Sequence, residues 1–336
     1  MKLYNRFKSV ENFKSNKTYL KSMPTEIIIE ITNHCNLACP MCSRGNMERD
    51  ESFMKLDLFK KIVDQTKDTC ELIYLSGGLG DPMLHPKFFE FVEYAKLKKV
   101  KVGISTNATM IKEKNIDRLI SSVPDILLLS IDGATKETHE KIRVGSNFEK
   151  TISGIEKYLI VKHEKKIKTH VICQMVYMPI NSSEAGMFKK KWSSFKGVND
   201  VRLKKFISFQ GAPYQPEKGV YEEEYKSCIL PWRQLSVSCD GTVAICCRDY
   251  HYKDKIGDTN LDSIASIWNS KAMMDYRKKL SDNEKHLISS CKGCGTIKTN
   301  FITLFGASVL NTFTIRKYLP LFEKVLLKFK LPLNYD

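Results

Sequence analysis

Between Thr25 and Phe209 the chain repeats, six times, a short β-branched apolar run followed by a longer amphipathic segment. Few architectures accept that rhythm. The expected strands cover residues 26–31, 72–76, 101–105, 126–131, 169–177 and 201–206. The expected helices cover 55–66, 86–98, 112–121, 136–143, 148–164 and 183–195. Parallel strands need crossover connections of this length, so the repeat predicts an α/β fold with a parallel sheet and covering helices. Six units suit a partial (β/α)6 barrel, whose chemistry sits at the carboxyl ends of its strands. A stretch rich in Gly, Pro and Gln at 210–219 breaks the pattern. The expected divisions are an N-terminal extension at 1–24, the barrel at 25–209, a linker at 210–224, a small cysteine-rich C-terminal module at 225–300 and a basic amphipathic tail at 301–336.

Cys35, Cys39 and Cys42 stand directly after the first apolar run. Three thiolates at this spacing can wrap one face of an iron–sulfur cube and leave its fourth iron without a protein ligand. A zinc site that recruits His34 or a distant ligand is the alternative. Structural zinc sites, however, more often use paired cysteines set well apart. Disulfides are not expected, because residues 1–8 contain no apolar core of a signal peptide. No stretch approaches the roughly 20 apolar residues of a membrane span. A cytoplasmic protein with reduced thiols is the expectation.

The net charge of +16 admits nucleic acid, an anionic membrane surface or an anionic substrate as partner. The lysines are scattered, as at Lys165, Lys166, Lys189–Lys191, Lys278 and Lys279. No basic stripe interleaved with aromatics and no zinc-finger spacing is present, so nucleic acid is not expected. The tail mixes Phe313, Ile315, Leu319, Phe322, Leu326 and Leu327 with Arg316, Lys317, Lys324, Lys328 and Lys330. Such a helix makes peripheral membrane contact or packs on its own domain, and Pro320 interrupts it.

With this alternation, the cysteine trio resembles the radical S-adenosylmethionine superfamily, whose pattern is Cys-x3-Cys-x2-Cys. The resemblance covers most of the chain. It implies a 4Fe-4S cluster on Cys35, Cys39 and Cys42 that holds S-adenosyl-L-methionine at the open iron. Reductive cleavage would then give a 5′-deoxyadenosyl radical that abstracts hydrogen from substrate. Met41 stands where the family usually has an aromatic residue beside the adenine, and a thioether covers the same apolar face. The stretch from Ser76 to Pro86 resembles the family's Gly-Gly-Glu-Pro loop, which binds the methionyl amino group. Here Leu79 follows Gly77 and Gly78, and Asp81 precedes Pro82, so either Gly77–Gly78 or Gly78–Gly80 is the equivalent pair. Ser105, Thr106 and Asn107 resemble the segment that contacts the ribose. Ser130, Asp132 and Gly133, with Arg143, resemble the segment that contacts the cofactor carboxylate, for which a guanidinium fork is suited. The plain alternative makes Asp132–Gly133 a turn and Arg143 a solvated helix residue.

Cys228, Gly241, Cys246, Cys291 and Cys294, with Trp232 and Trp268 around them, resemble the SPASM and twitch auxiliary-cluster domains. The resemblance implies one auxiliary 4Fe-4S cluster on Cys228, Cys246, Cys291 and Cys294, because no cysteine follows Cys294. Cys247 could replace Cys246, and zinc could occupy the same four thiolates. Cys70 and Cys173 read as packing residues, and Cys239 lies near the module. The resemblance further implies a two-electron oxidation, with an auxiliary cluster accepting the electron left on substrate and a flavodoxin- or ferredoxin-type donor. Peptide-modifying members often carry a recognition domain ahead of the barrel, and only about 24 residues precede the first strand here. A small or carbohydrate-like substrate is therefore the expectation, faced by Arg248 or a cation within 201–207. A peptide-modifying enzyme is the alternative. A non-catalytic zinc-binding or electron-transfer protein is the reading from another class.

Overall fold

The computed structural model describes residues 1–76, 78–206, 228–292 and 294. The expected linker at 210–224 and tail at 301–336 lie outside the described residues. Among the described residues one sheet holds nine strands in the order β6-β5-β4-β3-β2-β1-β7-β8-β9. They are β1 (Glu26–Ile29), β2 (Leu72–Leu75), β3 (Lys101–Thr106), β4 (Ile126–Ser130), β5 (His170–Tyr177), β6 (Asp200–Lys205), β7 (Gln234–Val237), β8 (Thr242–Ala244) and β9 (Lys255–Asp258). Strands β1 to β6 are all parallel. Between them run α2 (Leu56–Thr66), α3 (Phe88–Leu97), α4 (Glu113–Ser122), α5 (Lys136–Ile142), α6 (Phe148–Glu164) and α7 (Ala185–Ser194). The sheet is not closed, and β6 and β9 are its edges. This is the expected partial barrel.

Strand alternation sorts the side chains into two layers. Ile27, Ile29, Ile73, Leu75, Val102, Ile104, Leu127, Leu129, Val171 and Cys173 pack outward against Phe59, Phe91, Leu119, Ile155 and Phe188 of the helices. The alternate residues face the lumen. There Ile126, Leu128 and Ile172 form a separate apolar floor with Leu72. Gly103 leaves room for the Tyr74 ring, which a Cβ at that position would strike. Above this floor the lumen-facing positions are polar: Glu30, Ser76, Ser105, Ser130 and Gln174.

Two features add to the expected divisions. The cysteine-rich module is not a detached layer, because β7 pairs in parallel with β1, Glu26 opposite Gln234 and Ile29 opposite Val237. Strands β8 and β9 continue the sheet antiparallel, and α8 (Ile264–Trp268) and α9 (Lys271–Ser281) close the module. The N-terminal segment, expected only as an extension, forms α1 (Lys2–Lys14). It lies across the amino ends of the strands, where Arg6 Nε donates to Glu71 Oε1 at 2.7 Å. The Phe13 ring stands edge-on to Trp232, and the indoles of Trp232 and Trp268 donate to Lys17 O and Ser22 O, both at 2.8 Å. Among the described residues no helix is long and apolar enough to cross a membrane.

Candidate cofactor and cluster site

The loop leaving β1 carries the first cysteine trio and is pinned by its own polar side chains. Asn33 Nδ2 donates to Asp50 O at 2.8 Å, and its Oδ1 accepts from Ser52 N at 2.7 Å. Thr32 Oγ1 donates to Ser52 O and accepts from His34 N. Within the trio, Cys42 N donates to Cys39 O at 2.9 Å, closing a turn that brings the thiols together. Asn107 Nδ2 lies 3.8 Å from Cys35 Sγ, and Arg143 Nη1 lies 3.8 Å from Cys39 Sγ. Arg143 is held there by the fully buried Asp132, Nη2 to Oδ2 at 2.7 Å. Burial pushes all three thiols above their ordinary pKa, and Arg143 draws Cys39 partly back. Thiols in such a setting ionise fully once a metal replaces the proton. Among the described residues no three His, Cys, Asp or Glu side chains converge tightly enough for one ion. A polynuclear cluster would be held by Cys35, Cys39 and Cys42, three soft thiolate donors with Arg143 beside Cys39.

The glycine loop after β2 closes on the end of β1. Gly77 lies outside the described residues. A Cβ on Gly78 would overlap the Glu30 carboxylate, and one on Gly80 would strike the Thr32 carbonyl and Asn33 backbone. Asp81, the displaced acid of the motif, points inward and is buried. It accepts from Met83 N at 3.0 Å, Thr106 Oγ1 at 2.9 Å and Asn107 N at 2.7 Å, which ties the second loop to the third. Asn107 also donates to Asn36 Oδ1 at 3.1 Å. Ser105 and Ser130 are half-buried near the carboxyl ends of β3 and β4. Met41 packs on an apolar cluster of Ile142, Met178 and Phe206, with Val176 beside it. Apart from Gly77, the expected cofactor contacts all lie at the carboxyl ends of the barrel strands.

The second cysteine set lines one pocket. Cys228, Cys246, Cys291 and Cys294 share its wall with Leu230, Pro231, Ile245, Arg248, Leu280 and Ser290. Burial pushes Cys228 up to about 11 and Cys291 up to about 12. Cys247 is not part of this wall. A hydrogen bond between Cys246 and Cys247 lowers the Cys247 thiol to about 7, with Arg248 and Lys204 assisting. Cys239 is buried elsewhere, its Sγ 3.6 Å from Glu30 Oε1. Cys70 is fully buried and pushed up to about 12, as its packing role requires. Arg202, one of the cations expected to face substrate, is paired with Asp200 at 2.8 Å, and Ile207 lies outside the described residues.

Sequence reasoning missed a buried ion pair between the two cysteine sets. Arg49 forks onto Glu30, Nη1 to Oε1 at 2.8 Å and Nη2 to Oε2 at 3.0 Å. Glu30 Oε2 also accepts from Leu79 N at 3.0 Å. Arg49 Nε donates to Tyr250 O at 3.2 Å, and its guanidinium lies 4.7 Å over the Tyr252 ring. The glycine loop, the loop after the trio and the hairpin after Cys246 therefore share one charged pair. The available signal was Glu30 itself, a carboxylate at a lumen-facing position in the run Glu-Ile-Ile-Ile-Glu-Ile.

Residues 29–186 match the radical SAM superfamily, and residues 228–295 match the SPASM iron–sulfur cluster-binding domain. A tungsten-containing aldehyde ferredoxin oxidoreductase cofactor-modifying protein of Pyrococcus furiosus is 35% identical over 146 residues, 43% of this chain and 40% of that protein. The chain thus matches about two fifths of that curated relative's length. Two solved structures share the fold. BtrN in complex with AdoMet and 2-DOIA has a TM-score of 0.58 at 18% identity, covering 83% of this chain and 95% of that one. Streptococcus suis SuiB bound to precursor peptide SuiA has a TM-score of 0.59 at 15% identity, covering 85% and 74%.

Proposed function

From a radical SAM domain at residues 29–186 and a SPASM iron–sulfur cluster-binding domain at residues 228–295, we propose that this chain dehydrogenates a small, carbohydrate-like substrate. The observation that carries this reading is a difference in ligand count. Three cysteines stand on the loop that leaves β1, whereas four line the second pocket. Three ligands leave a cube one open position, and four leave none. The first site therefore suits binding and activation of a small molecule, and the second suits electron transfer. When bound, the cluster and S-adenosylmethionine supply reductive cleavage of the sulfonium and hydrogen-atom abstraction.

The chain's own residues bind and orient around that chemistry. Cys35, Cys39 and Cys42 would hold the first 4Fe-4S cluster, and Cys228, Cys246, Cys291 and Cys294 the auxiliary one. Arg143, locked by Asp132, keeps a positive charge beside Cys39 at a fixed point, where a carboxylate can be received. Gly78 and Gly80 let the second loop close on the end of β1, beside Glu30 and Thr32. Ser105 and Asn107 offer polar contacts suited to a ribose, and Ser130 one suited to the cofactor carboxylate. Met41, with Ile142, Met178 and Phe206, gives an apolar wall that excludes water. Loss of one hydrogen atom, then one electron and one proton, makes the net change a two-electron oxidation. A flavodoxin- or ferredoxin-type protein would be the donor for the first electron.

The lumen supports this substrate class. Its floor is filled by Leu72, Ile126, Leu128 and Ile172, and beyond the two serines given to the cofactor its rim offers Ser76 and Gln174. A shallow rim of hydroxyl and amide groups suits a polyol or sugar. A peptide is the second reading, favoured by the fold shared with SuiB, whose structure holds its precursor peptide.

The test is anaerobic purification with iron and sulfide counted. About eight irons per chain are expected, falling to about four in a Cys291→Ser, Cys294→Ser variant. With dithionite and S-adenosylmethionine both proteins should form 5′-deoxyadenosine, and only the parent should oxidise a polyol, nucleotide-sugar or peptide from a substrate panel. Zinc in place of iron, or full clusters without cofactor cleavage, would refute the reading.

A further inference from the structure

Helix α1 is amphipathic in the reverse sense. Its inward face is polar: Asn5, Ser9 and Asn12 are buried beside Val10 and Phe13. Those groups are satisfied. Asn5 Nδ2 donates to Thr69 O and its Oδ1 accepts from Met23 N, while Asn12 Nδ2 donates to Ser22 Oγ. The outward face carries Leu3, Tyr4 and Phe7, which are 55%, 53% and 46% exposed. Their i, i+3 and i, i+4 spacing groups them on one side of the helix. Lys2 Nζ donates to Lys99 O at 3.0 Å, so the helix start stands beside the end of α3, where Leu97 is also exposed. Scattered exposed apolar residues are ordinary, but a grouped set with polar residues turned inward marks an interaction surface.

Charge selects the occupant. Helix α1 carries Lys2, Arg6, Lys8 and Lys14 against Glu11, which pairs with Lys8, and Glu71, which pairs with Arg6, so this end of the molecule stays net positive; Lys99 and the Asp64-paired Lys98 adjoin it. The chain's own tail is a poor cover, because Arg316, Lys317, Lys324, Lys328 and Lys330 bring the same sign. A second copy would set one basic helix against another. An anionic surface that also accepts Leu, Tyr and Phe matches both properties of the face. We propose that α1 docks this protein on an anionic lipid bilayer, with Leu3, Tyr4 and Phe7 entering the headgroup region. Because α1 crosses the amino ends of the strands, beside Glu71 and Lys99, the cysteine trio at the carboxyl ends faces away from the bilayer. Substrate would then arrive from the aqueous side.

Vesicle co-sedimentation of the full chain tests this, with phosphatidylcholine alone against phosphatidylcholine containing about one third phosphatidylglycerol. The expected result is binding to the anionic vesicles only, weakened by salt. A Leu3→Ser, Phe7→Ser variant should partition about tenfold less with an unchanged melting temperature, since both positions are exposed. Equal partitioning of variant and parent would overturn the proposal. So would binding to neither vesicle, a concentration-dependent dimer abolished by the variant, or a variant that is destabilised but still vesicle-bound, which would mean that the face is already covered.

Discussion

Glu30 and Arg49 form a pair whose value lies in what removing half of it exposes. Glu30 is 2% exposed and pairs with a guanidinium that also reaches Tyr250 and Tyr252. Arg49→Met would strand a buried carboxylate, and breaking a buried pair this way costs about 3–5 kcal/mol. Urea unfolding of anaerobically loaded protein should show a loss of that order, and a loss below about 1 kcal/mol would mean the carboxylate finds water or another donor. His139 gives a prediction in pH. Burial, and then the charge of Arg143, lowers it from its ordinary value to about 4. The unfolded chain takes up this proton near pH 6.5, and the folded chain only near 4. Stability should therefore fall as pH drops through that window, by up to about 3 kcal/mol. A His139→Gln variant should lack this component, so the parent-minus-variant difference should change between pH 7 and pH 4. A flat difference would contradict it. The first cysteine trio stood out in the sequence because its spacing is local, and the second set stood out through the resemblance. Glu30 and Arg49 did not, because they stand nineteen positions apart and no periodicity marks the return of the chain.

At the scale of elements, the six strands and six helices of the barrel were legible within a residue or two at most ends, because burial on one side imposes period 2 or 3.6. The last helix starts at Ala185, two residues after the expected 183. Pro179 opens a 3-10 turn, Pro179–Glu184, ahead of α7. Helix α1 escaped notice for a clearer reason. It buries Asn5, Ser9 and Asn12 through specific hydrogen bonds and leaves Leu3, Tyr4 and Phe7 outside, which inverts the pattern that sequence reading relies on. The glycine loop behaves differently again: its composition was legible, but the inward turn of Asp81 was not, because Thr106 and the Asn107 amide that capture it belong to the next unit. Gly80→Ala tests whether this loop is built by backbone contact. The added methyl would meet the Thr32 carbonyl, so the loop must move off the end of β1. Affinity for S-adenosylmethionine should fall at least about tenfold while iron content is kept, since none of the cysteines lies in the loop. Isothermal titration on loaded protein would show it, and unchanged affinity would separate the loop from cofactor binding.

At the scale of the molecule, one continuous sheet joins what composition divides. The change from β–α repeats to a cysteine-rich stretch suggests two modules, yet β7 is hydrogen-bonded to β1 along its length, and all four of its residues are buried. Trp232 and Trp268 anchor the N-terminal segment through Lys17 and Ser22, and the buried Arg277 donates to Thr18 O and Pro231 O while lying over the Trp268 ring. The chain's beginning, its barrel and its C-terminal strands therefore share one core. Removing β7 would bare the edge of β1, the strand that leads into the first cysteine trio. A single cooperative transition is expected. The three tryptophans allow a direct check. Trp192 is buried in the barrel on α7, and the other two belong to the module and its contact with the N-terminal segment. A Trp192→Phe variant reports fluorescence from the module alone, and a Trp232→Phe, Trp268→Phe variant reports from the barrel alone. In loaded protein, each variant's fluorescence midpoint in denaturant should coincide with the midpoint of its own cluster absorbance. A module that lost its signal well before the barrel absorbance changed would show that the β1–β7 pairing does not couple the two halves.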